Sequence, residues 1–221
     1  MKLFVSAMLK FLCGALLVGL LIFLPAGTLA YANGWLLMGL LFVPMFIAGI
    51  VMLIKSPAFL SKRLDGKEKQ KTQQGVVKSA GLMFIAGFVV AGLDYRLGWS
   101  VMPMPVTVIA SVLFLAAYGL YAEVMRENTY LSRTVKVEEG QKVVDTGLYG
   151  IVRHPMYMAT LLLFSTMPVV LGSWYALIVF AFYPVIIIVR LKDEEELLTR
   201  ELPGYAEYKE KVKYRLLPFI W

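Results

Sequence analysis

The sequence predicts an all-α, polytopic membrane protein of about six spans, the last two forming a C-terminal helical hairpin, with a loop and tail on one face shaping a polar pocket. Three observations carry that prediction. The chain is 59% hydrophobic with a mean hydropathy of +0.72, whereas soluble domains hold roughly 45–50% apolar residues. Its apolar residues are gathered into blocks rather than spread with a surface-helix period. The basic residues are confined to alternate connections.

A spanning helix needs about 20 mainly apolar residues. Gly34 to Ile54 and Leu97 to Ala122 each supply such a stretch without a charged side chain. Phe11 to Pro25 and Ser79 to Leu93 are shorter, but Lys10 and Lys78 can snorkel to the interface and extend each span by a turn. Pro155 to Val189 carries no charge over 35 residues, far longer than a ~30 Å hydrocarbon core at ~1.5 Å per helical residue. It must fold back, and Gly172-Ser173 is the natural break.

Loops rich in Lys and Arg stay in the cytoplasm. Of the 22 basic residues, 2 precede the first span, 7 lie in Lys55 to Lys78, 5 in Arg126 to Arg153 and 7 from Arg190 onward. Arg96 alone falls on the other side. Six spans with both termini cytoplasmic thus place 21 of 22 basic residues on one face, and the net charge of +7 expresses topology. A nucleic-acid partner would call for a basic soluble face with groove-reading or stacking residues, and none is evident. Lys2, the apolar run after it and Ala26-Gly27-Thr28-Leu29-Ala30 also fit a secretory signal with its cleavage site, in place of a retained span. Either reading leaves the following loop outside. One cysteine, Cys13 in the first apolar run, and one histidine exclude a disulfide framework and clustered metal ligands.

The chain reads as a single integral membrane domain over 1–221 without internal repeats. The loop Lys55 to Lys78, with Lys67-Glu68-Lys69-Gln70-Lys71, reads as a solvated connector or a contact to anionic headgroups. Partial alternation over Val135 to Val144 suggests a short hairpin or extended piece. Leu191, Leu198, Leu202, Tyr205, Val212 and Leu216 recur as on an amphipathic helix that either lies on the interface or walls a pocket, broken at Pro203-Gly204.

Two polar clusters stand out. Asp145 to Tyr157 holds Gly147, Tyr149, Gly150, Val152, Arg153, His154, Pro155 and Tyr157. Glycines there permit turns and close ligand approach. Pro155 suits the first turn of the next helix, which leaves Arg153 and His154 at a helix N-terminus, where free N–H groups favour an anionic ligand group. The second cluster, Arg190-Leu191-Lys192-Asp193-Glu194-Glu195-Glu196, follows the last span. Taken alone it reads as a solvated face with an Arg190–Glu194 pair. The hairpin, however, returns it to the side that holds the first cluster.

Gly147-x-Tyr149-x-x-Val152-Arg153-His154-Pro155-x-Tyr157, then Arg190-x-x-x-Glu194-Glu195 and Tyr205-x-x-Tyr208, resembles the isoprenylcysteine carboxyl methyltransferase and phospholipid methyltransferase superfamily. The resemblance covers roughly residues 140 to 221, including Tyr214 to Trp221, while residues 1–125 match only as generic spans. Relatives usually place Phe-Gly where this chain has Leu202-Pro203-Gly204.

The resemblance implies an enzyme whose catalytic part is 126–221, using S-adenosylmethionine in a cytoplasm-facing pocket. Gly147, Tyr149, Val152, Arg153, His154, Pro155, Tyr157, Glu194 and Glu195 would form the cofactor site, and Arg190, Glu194 and Tyr157 the catalytic group. A carboxylate and an ammonium on the cofactor suit Arg153 and His154 on one side and a glutamate on the other, and a sulfonium favours the faces of Tyr149 and Tyr157. The acidic-Gly-x-Gly-x-Gly signature of a soluble nucleotide-binding fold is absent. The expected acceptor is lipophilic and enters from the bilayer: the carboxylate of an isoprenylcysteine-like compound, with Arg190 orienting it, or an aminophospholipid, with Glu194, Glu195 or His154 as base. An NADPH-dependent sterol-type reductase and a non-enzymatic transporter or membrane partner are the other readings; polar groups inside the spans, which a transporter needs, are nearly lacking. Residence in a bacterial or archaeal inner membrane is expected.

Overall fold

The computed structural model describes residues 1–65, 71–132 and 134–221, with the side chains of Lys71 and Thr72 left out. The segment Lys67 to Gln70, read as a solvated or headgroup-contacting connector, lies outside the described residues. The long helices are α1 (Lys2–Ala26), α2 (Ala32–Lys55), α4 (Lys71–Leu97) and α5 (Met104–Glu127), with a short α3 (Pro57–Leu64) between α2 and α4. A 3₁₀ turn (Gly147–Gly150) then leads to α6 (Pro155–Val170), α7 (Trp174–Phe180), α8 (Tyr183–Glu201) and α9 (Tyr205–Lys211). Five stretches are long and apolar enough to cross a membrane, the fifth running through α7 and α8 as Trp174–Glu201. Helix α6 is the sixth, shorter apolar segment. Its 16 residues span ~24 Å, less than a ~30 Å hydrocarbon core.

The expected hairpin forms, with its break at the expected place. Gly172 takes φ 78, a left-handed conformation that costs glycine little, and Ser173 caps α7 by accepting from the Ala176 amide at 3.0 Å. The return limb is interrupted at Ala181-Phe182 because Pro184, in the first turn of α8, has no N–H to continue the ladder. Beyond Val189 the same helix continues without a break to Glu201, carrying the acidic cluster on its last turns.

Small residues set how closely the helices approach. A Cβ at Gly92 of α4 would stand 2.5 Å from the Ile22 carbonyl of α1, and one at Gly87 would stand 2.3 Å from the Phe180 ring of α7. Helices packed in lipid gain from such close backbone approach, because burial there offers little hydrophobic drive. Helix α6 lies along α5, and α4 contacts α1, α7 and α8. The shared core includes Ile22, Leu37, Phe88, Phe114, Met167, Phe180 and Leu191. Phe84 meets Phe164 and Phe180 edge-on, at 4.8 and 5.5 Å. Cys13 is exposed on α1.

At one end of the bundle Asp94, 1% exposed, accepts from the Ser100 amide at 2.8 Å, the Ser100 hydroxyl at 2.6 Å and the Ser173 hydroxyl. Tyr31 donates to the Leu171 carbonyl and stacks on Tyr95. These bonds fasten α4 and the α1–α2 connection to the hairpin turn.

No strand occurs among the described residues, so the hairpin suggested for Val135 to Val144 is corrected. The segment is irregular, turning at Gly140 (φ 70), with the Gln141 amide donating to the Glu138 carbonyl at 3.0 Å. Its apolar residues pack against the tail instead of pairing across a ladder: Val137 and Val143 cover Leu202, Tyr205, Tyr208 and Val212. Lys62 of α3 braces the segment through Glu138 at 2.5 Å.

Candidate active site

Pro155 opens α6 at its first turn and His154 is its N-cap residue. The residues before it follow from the turn above: Gly147 takes φ 53, with the Glu127 carboxylate 3.1 Å from where a Cβ would lie. Tyr149 is pinned at two points, its hydroxyl accepting from the Asn128 amide group at 2.9 Å and its backbone carbonyl accepting from the Tyr208 hydroxyl at 2.7 Å. Burial pushes the Tyr149 hydroxyl well above the usual phenol range, so it serves as a neutral hydrogen-bonding group.

Behind the site lies a buried ionic hub. Arg153, His154 and Glu195 are 7%, 6% and 4% exposed. Arg153 Nε donates to Glu195 Oε1 at 2.6 Å, and its Nη1 donates to the carbonyls of Val212 and Lys213 at 2.7 and 3.0 Å. Arg215 Nε donates to Glu195 Oε2 at 2.9 Å. His154 Nε2 lies 3.3 Å from Glu195 Oε1 and 3.5 Å from the Tyr205 hydroxyl, and a bond to the carboxylate requires the imidazole proton on Nε2. The amides of Arg153 and His154 donate to the carbonyls of Tyr214 and Arg215, each at 2.9 Å. A buried carboxylate is tolerable only when its charge and lone pairs are met this completely. The tail therefore acts as the third side of the hub.

In front of the hub, Tyr157 is 3% exposed. Its hydroxyl donates to Glu194 Oε2 and accepts from Arg190 Nε at 3.0 Å. Its ring lies near-parallel to His154, with centroids 5.7 Å apart. Arg190 and Glu194, read as a helical pair from their spacing, thus meet at one hydroxyl supplied by α6.

These groups border a narrow cleft of about 90 Å³ that opens to solvent. Of the residues singled out in the sequence, Tyr149, Arg153, His154, Tyr157, Arg190 and Glu194 line it. Gly147, Val152, Pro155 and Glu195 stand behind the wall, shaping the turn or anchoring the hub. Leu198, Leu202, Tyr205 and Tyr208 also line the cleft, so the amphipathic tail is a pocket wall. The opposite wall was missed in the sequence: Asn128, Tyr130, Ser132, Thr134, Gln141 and Lys142 all face the cleft. The signal available was the run of hydroxyls at alternate positions, Tyr130, Ser132 and Thr134. With Lys136 and Lys142 beside them, the walls offer cations, a carboxylate, hydroxyls, an amide and aromatic faces. That donor and acceptor set fits a ligand carrying both charge signs and an aromatic base.

Fold and site define a polytopic helical membrane protein with a polar cleft at the end of its last hairpin. The family model for isoprenylcysteine carboxyl methyltransferase (ICMT) matches residues 107–200, from α5 nearly to the end of α8. The match supports the resemblance drawn from the Arg-His-Pro-x-Tyr and double-glutamate elements. It begins earlier than residue 140, taking in the α5 helix against which α6 packs, and stops before the tail. The family is one of membrane methyltransferases, and the apolar helices agree with an integral membrane protein of that class.

Proposed function

We propose that this chain transfers a methyl group from S-adenosylmethionine to the carboxylate of a lipophilic, isoprenylcysteine-like acceptor at the cytoplasmic face of the membrane. The observation that carries the proposal is the Arg190–Tyr157–Glu194 array, which joins the two halves of the hairpin at the mouth of the cleft. The cofactor, when bound, supplies a sulfonium-activated methyl group. Glu194 offers a carboxylate for its ammonium, Arg153 and His154 border the side suited to its carboxylate, and the hydroxyl-rich loop faces the remaining cleft.

Methyl transfer to a carboxylate breaks a carbon–sulfur bond and forms a carbon–oxygen bond, with the sulfur keeping the electron pair. No proton moves. The protein's contribution is alignment and exclusion of water. Arg190 is suited to aligning the acceptor, because it leaves the bilayer on α8, its guanidinium is steered by Tyr157, and a planar fork matches a carboxylate. A neutral Tyr157 hydroxyl also holds Glu194 by donating to it, which favours Glu194 as a fixed ligand group over a mobile base. An amine acceptor would require that base.

Calorimetric titration of detergent-purified protein with S-adenosylhomocysteine tests the cofactor reading. Binding is expected for the intact chain and weakened for Glu194→Ala and His154→Ala; no heat from the intact chain sinks the proposal. Labelled methyl incorporation into prenyl-thiol acids and aminophospholipids tests the acceptor, a base-labile product being expected and a base-stable one pointing to N-methylation. NADPH titrated under the same conditions should give no heat.

A further inference from the structure

Helix α4 lies outside the segment matched by the family model, yet its Gln73 reaches the α8 turn that carries the site. Gln73, near the start of α4, is fully buried, at 0% exposed. Its Nε2 donates to Asp193 Oδ2 on α8 and lies 3.5 Å from the Arg190 carbonyl. Because a carboxylate only accepts, the amide must present its NH₂ to Asp193. That orientation leaves Gln73 Oε1 buried without a hydrogen-bond partner among the described residues.

A buried polar atom left unpaired is a net loss of stability and requires an explanation. Asp193 is only half-buried, so water can solvate it if Gln73 is removed. An apolar side chain of similar length would pack α4 against α8 without the orphaned oxygen. Gln73 is therefore a poor choice for stability alone. What it supplies, and an apolar residue cannot, is a directional contact to the α8 turn that carries Arg190, Asp193 and Glu194.

The geometry points to Gln73 as a positioning residue: its clip on Asp193 and the Arg190 carbonyl sets the rotation of α8 and so places Arg190 and Glu194 against the Tyr157 hydroxyl. At a radius of ~5–6 Å from the helix axis, a rotation of about 20° displaces a side-chain group by ~2 Å. Misplacement by ~1 Å can cost ~100-fold in rate. Gln73 touches neither reacting group and acts through α8.

The inference rests on the methyl-transfer reading, and its test separates the two. Detergent-purified full-length protein and its Gln73→Leu, Gln73→Lys and Asp193→Ala variants are compared by melting midpoint, S-adenosylhomocysteine affinity and steady-state methylation of an S-prenylated N-acylcysteine. Gln73→Leu should lower kcat ~10–100-fold and weaken S-adenosylhomocysteine binding, because Glu194 turns with α8, while the midpoint is unchanged or raised. Asp193→Ala should lower kcat in the same direction, and Gln73→Lys, which restores a donor to Asp193, should recover most of the turnover. Wild-type turnover by Gln73→Leu overturns the inference alone. So does a loss that follows the melting midpoint, or a Gln73→Leu protein that does not fold. Absence of cofactor binding and turnover in the unaltered protein removes the methyl-transfer reading and the inference with it.

Discussion

The two ends of the helical bundle each bury a carboxylate, and they treat it differently. At the hairpin turn Asp94 is met by neutral donors, an amide and two hydroxyls, from residues that close a connection between helices. At the opposite end of the hairpin Glu195 is met by two guanidiniums and an imidazole, and the groups just in front of it face a cleft. The first is a fastening whose bonds end within it. The second is a rigid backing that leaves Tyr157, Arg190 and Glu194 directed toward a ligand. Burial of an acid alone does not mark a site; what distinguishes the two is whether ordered, charged neighbours border open space.

Breaking the hub should have the largest effect. Glu195→Ala strands Arg153 among buried groups and should cost about 3–5 kcal/mol, read as a large fall in melting midpoint with loss of S-adenosylhomocysteine binding. Tyr157→Phe removes only the hydroxyl between Arg190 and Glu194, which then close into a direct pair. Methyl incorporation should fall ~10–100-fold while the fold persists, and a Tyr157→Phe enzyme of full activity would show that the array is incidental. At the other end, Asp94→Ala leaves the Ser100 and Ser173 hydroxyls without their acceptor and should destabilise by about 1–3 kcal/mol. Cofactor affinity should be unchanged; a loss there would mean that the two ends are coupled through the hairpin. Smallest of all, Lys211→Ala opens an exposed pair with Asp145, whose carboxyl the ammonium holds below the usual carboxylate range. No change in midpoint or turnover is expected, since exposed pairs are screened by solvent.

Several features were legible because they are local. Apolar length and the placement of basic residues announce the spans. Gly172-Ser173 and Pro203-Gly204 announce the breaks that open α7 and α9. Pro155 announces the helix start that sets Arg153 and His154 at its end. Such signals depend on a few neighbouring residues and on chain geometry. The alternation in Val135 to Val144 left a hairpin and an extended piece both open for the same reason, and only the hairpin is ruled out. It shows which residues are apolar, but not that their partner is the tail.

What the sequence by itself determined is the helical membrane fold, the position of its hairpin and the residue types gathered at both ends of that hairpin. The tertiary structure alone decided their roles. Glu195 and Glu194 are adjacent in the chain, yet the rotation of α8 turns one into the hub with Arg153 and Arg215 and the other toward Tyr157 and the cleft. Gln73 joins the same turn from a helix 120 residues away. Successive residues on a helix point about 100° apart, so identical side chains receive different surroundings from their angle to neighbouring helices, which no local pattern specifies.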